Sequence, residues 1–145
     1  MTDIDFKGRV AIVTGAGGGL GRQHALALTG LALAACEKSV QIVYEHGLRP
    51  AEKVHAPWLG RVTGQMQAAF GELEQALAAR TQSQRSAELD QAGVTIAVAW
   101  HFARQMTPAE APAERFPRLA AFSAAAEALP EFRAAPHGDS TYSAA

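Results

Sequence analysis

Apolar positions along this chain change their period once. Residues 9–13, Arg-Val-Ala-Ile-Val, are a short continuous apolar run and read as a buried strand. Residues 14–21 are glycine-rich, and Arg22–Leu28 reads as the start of a helix. Beyond Gly30 the apolar residues recur at three- and four-residue spacing. The most apolar long stretch is Asp90–Met106, DQAGVTIAVAWHFARQM. As a strand it would alternate Val94, Ile96 and Val98 with Thr95, Ala97 and Ala99. As a helix it is apolar nearly all round, the pattern of a helix at the centre of a bundle. Its length favours the helix. So do Asp90 as N-cap in front and Thr107-Pro108 behind.

The other elements fit around it. Leu31–His46 reads as a helix with Leu33, Cys36, Val40 and Val43 on one stripe. Gly47, Leu48 and Pro50 stop it. Pro57 kinks or restarts the chain, and Trp58–Arg80 reads as a long amphipathic helix. Its stripe is Leu59, Val62, Met66, Phe70, Leu73 and Leu77, with Glu72 and Glu74 off it. Gly60, Gly64 and Gly71 sit inside that helix, where close approach of a neighbour or plain exposure would account for them. Thr81–Ser86 is a polar loop. Pro117 suits a first helical position, before a stripe of Leu119, Phe122, Ala126 and Leu129. Pro130 ends that helix, Phe132 tucks back, and residues 134–145 read as a loose tail.

The expected class is therefore mainly α: a helical bundle preceded by a short β-strand, glycine-rich turn and helix start. Three parts follow, residues 1–29, 30–133 and 134–145. A length of 145 residues with 48% hydrophobic and 19% charged residues suits one domain with a core. A net charge of -1 argues against nucleic acid or an anionic membrane surface as partner. No run reads as long or apolar enough to span a membrane. The single cysteine, Cys36, forbids an internal disulfide and suits a cytoplasmic setting.

Candidate chemistry is sparse. The strand, the glycine turn and the helix start make a cradle where backbone N–H groups and a helix N-terminus could meet phosphate. The stretch VTGAGGGLGRQHALAL resembles the opening of the short-chain dehydrogenase/reductase family, Thr-Gly-x-x-x-Gly-x-Gly. Gly15, Gly19 and Gly21 fall on its glycines, and the resemblance implies NAD(P) contacts there. It covers about residues 6–28. No further parallel strands follow, and the family's Tyr-x-x-x-Lys is missing, since Tyr44 has Leu48 four residues on. A fragment without a working cofactor site is the preferred reading. An oxidoreductase fragment keeping only its phosphate loop is the alternative.

Residues 31–133 resemble the C-terminal helical domain of cytosolic glutathione transferases. The residues that carry this are Val43-Tyr44-Glu45, Arg49-Pro50-Ala51-Glu52-Lys53, Trp58 and the apolar helix after Asp90. Phe116-Pro117-Arg118-Leu119 and Ala128-Leu129-Pro130-Glu131-Phe132 complete it. The family's capping box is half made, because its reciprocal side chain falls on Gly93, at a cost of about 1 kcal/mol. The resemblance implies a wall for a hydrophobic small molecule, part of a homodimer surface, and glutathione as the family's co-substrate. The family's thioredoxin-like domain, which activates the glutathione thiol, has no counterpart in this sequence. A fusion or truncated gene product, not catalytic alone, is the expectation.

No catalytic residue can be placed. His24, His46, His55, His101 and His137 show no metal-ligand spacing with one another or with Cys36. Cys36 reads as a packing residue, and Trp58 and Trp100 as core. His101 reads as a hydrogen-bonded or rim residue, and Tyr44 as packing between helices or lining a pocket. Arg49 reads as a helix-terminal charge or a holder of a carboxylate.

Overall fold

The computed structural model describes residues 20–79 and 90–135, with side chains from residue 23 onward. Among these residues the chain forms α1 (Leu20–Gly47), α2 (Ala56–Ala79), α3 (Gln91–Met106), α4 (Pro117–Glu127) and α5 (Pro130–Ala134). No strand occurs among the described residues. The strand expected at residues 9–13, the polar loop at 81–86 and the tail beyond Ala135 lie outside them. α1 packs along both α2 and α3, and α4 closes against α3 and α2.

α3 is the centre, as its pattern predicts. Asp90 caps it, its carboxylate accepting from the Gly93 amide at 2.7 Å, and Thr107 ends it. Ile96, Trp100 and Ala103 face the core. Trp100 meets Phe70 of α2 edge-on at 5.1 Å and Phe116, just before α4, at 5.6 Å. These three rings lock three elements together in offset and edge-to-face geometry. The Arg104 guanidinium donates to the Ala111 carbonyl at 2.7 Å, pinning the loop that follows α3.

α1 differs from its expected form in two ways. It runs without a break through Gly30, where a break was expected. One glycine costs a helix about 1 kcal/mol, too little to end one held on two sides by neighbours. Its buried face is also rotated. Leu28, Ala32, Ala35, Ser39 and Ile42 are buried, whereas Leu33 is 57% exposed. Small side chains at 32, 35 and 39 let α2 and α3 both come close, and the larger residues are displaced outward. The Ser39 hydroxyl completes this contact, donating to the Ala35 carbonyl at 3.0 Å and lying 3.1 Å from Met66 Sδ. The segment Gln23–Gly47 is, by length and composition alone, apolar enough to cross a membrane, with 28% of its apolar window buried. That corrects the expectation that no run qualifies.

α2 buries Val62, Met66, Phe70, Leu73 and Leu77 as its stripe predicts. Pro57 lies in its first turn, so the proline restarts the chain. A Cβ at Gly60, Gly64 or Gly71 would meet nothing within 4 Å, so no close approach requires these glycines.

Two buried carboxylates do work that a stripe analysis misses. Glu74 was expected to sit off the buried face. α4 opens with Pro117 at its first position, and its N-cap, Phe116, has no side-chain acceptor. Glu74 supplies one, accepting from the Arg118 and Leu119 amides at 2.9 Å each. Glu45, 3% exposed, accepts from the His55 amide at 2.9 Å and from Arg49 Nε at 2.8 Å. It ties the end of α1 to the start of α2. α4 stops at Glu127, and Pro130 opens α5 as well as ending the preceding helix.

Candidate functional site

The outer face of α3 is as informative as its inner one. Val94, Val98, Phe102 and Gln105 recur at helical spacing on the side away from Ile96 and Trp100. α4 does not cover them. α5 does so only in part, because Pro130 turns the chain and brings Phe132 back over α3. The result is a groove of about 530 Å³, lined by Val94, Val98, Phe102, Phe132 and Ala135, with His101, Gln105, Glu127 and Glu131 as its polar members. That volume lies in the range of small-molecule sites, which are mostly apolar with a few placed polar groups.

The polar edge is organised. His101 Nδ1 lies 3.6 Å from Glu127 Oε1, joining α3 to the end of α4. The Ser123 hydroxyl donates to the Ala97 carbonyl at 3.1 Å and fixes the same two helices. A ligand with an apolar body would lie along Val94, Val98 and Phe102. Its polar end would meet Gln105 or Glu131. Its polar side chains are one imidazole, one amide and two carboxylates, with no thiol or hydroxyl among them.

The other residues singled out by the sequence are scattered. Gly15 and Gly19 lie outside the described residues, and Gly21 lies in the first turn of α1. Cys36 is half-buried, and burial raises its thiol pKa, which keeps it protonated and a poor nucleophile. Tyr44 neither packs between helices nor lines the groove; it is 58% exposed on the outer side of α1. Arg49 holds a carboxylate of this chain, that of Glu45. Trp58 packs half-buried against the core and Trp100 within it. His101 stands at the groove edge, and Phe132 tucks back into it. Val94, Val98, Gln105, Glu127 and Glu131 were missed as site residues. Their signal was the absence of any polar face on α3, which means that its second side needs a partner too.

No family model matches the chain, and no curated protein matches it. Solved structures do. A glutathione transferase family member from Pseudomonas fluorescens Pf-5, with bound S-(propanoic acid)-glutathione, superposes over 83% of this chain at a TM-score of 0.71 and 27% identity. A structure of a family member from the same organism with bound glutathione superposes over 89% at a TM-score of 0.71 and 25% identity. The helical domain is glutathione transferase-like. The chain spans 61% of the length of each of these neighbours. In this glutathione transferase-like domain Asp90 caps α3 without the family's reciprocal side chain, and Pro117 starts α4, both as read from the residues themselves. Neither neighbour supports the dehydrogenase reading of residues 6–28.

Proposed function

We propose that this chain is the substrate-side module of a glutathione transferase-like protein, and that the groove between α3 and α5 holds an apolar small molecule. The observation that carries the reading is a groove of about 530 Å³ with an apolar floor, on a domain whose structural neighbours are glutathione transferase family members. Val98, 52% exposed, is a large apolar residue of that floor open to solvent. Covering such surface yields roughly 25 cal/mol per Å².

In this reading the domain binds and orients the apolar partner, and His101 and Glu127 hold the groove edge in place. Attack by a glutathione thiolate on that partner would need thiol activation from polypeptide that the neighbours carry beyond the shared length. The division expected at residues 29 and 133 shifts in the same proposal, because α1 runs unbroken through Gly30 with Leu28 in the core and α5 extends to Ala134, so the working unit includes both helices whole.

The test is a titration of the chain with N-phenyl-1-naphthylamine, a neutral apolar fluorophore, with and without glutathione. Saturable binding at one site, on the order of 10–100 μM for a ligand of this size, is expected. It should be unchanged by millimolar glutathione and absent in Val98→Arg. Equal binding by wild type and Val98→Arg would place the probe elsewhere and refute the groove assignment.

A further inference from the structure

The groove between α3 and α5 carries charge of one sign. Its lining holds two carboxylates, Glu127 and Glu131, and no lysine or arginine. The chain as a whole is nearly balanced, with 13 lysines and arginines against 14 aspartates and glutamates, so the asymmetry belongs to the groove. The bases on neighbouring turns are engaged or placed elsewhere. The Arg104 guanidinium donates to the Pro108 and Ala111 carbonyls at 3.1 and 2.7 Å, and Arg118 reaches Glu74. Arg133 follows Phe132 on α5 but does not line the groove.

The two carboxylates are not equivalent. Glu127 Oε1 lies 3.6 Å from His101 Nδ1, so that carboxylate already has a partner. Glu131, in the first turn of α5, makes no ion pair among the described residues. It shares the groove with Phe102, Phe132 and Gln105. An ammonium group suits this company. It can donate N–H to the carboxylate and to the Gln105 amide oxygen, and aromatic faces attract cations. An anionic ligand end would meet like charge and no lysine or arginine to answer it.

We infer that the groove selects a lipophilic amine, protonated at neutral pH, with its apolar body along Val94 and Val98 and its ammonium at Glu131. This rests on the reading of the groove as a small-molecule site and adds the chemistry of the ligand's polar end. An ion pair at an exposed carboxylate is weak. Charge therefore sets the choice among ligands, and the apolar floor sets most of the affinity.

The test displaces N-phenyl-1-naphthylamine from the full chain with three competitors of one ring system and different charge: 1-naphthylmethylamine, 1-naphthylmethanol and 1-naphthoate. At pH 7 and low salt the amine is expected to bind about three- to tenfold more tightly than the alcohol, and the carboxylate more weakly than the alcohol by a similar factor. Salt at about 0.5 M should bring amine and alcohol within about twofold, because exposed charges are screened. Glu131→Gln should bring the amine to the level of the alcohol, and Glu131→Lys should set the carboxylate ahead of the amine. Equal displacement by all three, displacement by none, or an amine preference that survives Glu131→Gln would overturn this inference while bound fluorophore still marks the groove as an apolar site. A chain that takes up no fluorophore would remove the groove reading itself, and the inference with it.

Discussion

The two faces of α3 carry similar side chains and end in different places. The inner face puts Ile96, Trp100 and Ala103 against α1, α2 and the start of α4, all within 2% of full burial. The outer face puts Val94, Val98 and Phe102 into a groove that α5 covers only in part. Apolar chemistry alone does not separate the two. The difference comes from what arrives on each side. The inner side receives α1 along its length, with Phe70 of α2 and Phe116 closing on Trp100. The outer side receives one short helix, set by Pro130 and contributing mainly Phe132. The inner face is therefore a stability determinant, and the outer face is surface available for binding.

Substitutions that act on one face and spare the other would sharpen this contrast. Trp100→Ala should have the largest effect. It removes the ring shared by Phe70 and Phe116, and urea unfolding should show a loss of about 3–5 kcal/mol. Glu74→Ala comes next. It leaves the Arg118 and Leu119 amides without their acceptor, and about 2 kcal/mol should be lost. Glu74→Gln, which keeps one acceptor oxygen, should lose roughly half of that. Gly60→Ala and Gly64→Ala should each raise stability by about 0.5–1 kcal/mol, because the added methyl groups meet open space. Val98→Arg should change stability least, by under about 0.5 kcal/mol, because its side chain reaches solvent. It should nevertheless abolish probe binding. A Val98→Arg variant as unstable as Trp100→Ala would erase the distinction between the faces.

A smaller effect concerns Cys36. Burial raises its pKa, so a larger fraction stays protonated at pH 8 than for a solvent-exposed cysteine. Its reaction with a disulfide reagent should be slower than that of a free thiol at this pH. The rate should climb to higher pH before levelling. A rate equal to that of free cysteine at pH 8 would contradict the burial.

Local signals made much of the fold legible. Asp90 and Pro117 mark helix starts through chemistry confined to a few residues, and both stand where the pattern places them. The α2 stripe is legible because one side of that helix is plainly apolar. α1 misled because two neighbours pack on its small residues. Ala32, Ala35 and Ser39 weigh little in a hydrophobic pattern yet decide which face is inside. Glu45 and Glu74 were illegible as buried residues for a related reason. Their partners are backbone amides 10 and 44–45 residues away, and no local pattern records them. The groove was half legible. An all-round apolar α3 implies two covered sides, but only the turn at Pro130 fixes which side stays open.

The assignment of the open face is tested most directly by amide chemical-shift mapping of the chain titrated with N-phenyl-1-naphthylamine. The account predicts saturable shifts at Val94, Val98, Phe102, Gln105 and Phe132, with Ile96 and Ala103 of the inner face far less affected. Shifts confined to other residues, or none up to the solubility limit of the probe, would contradict it.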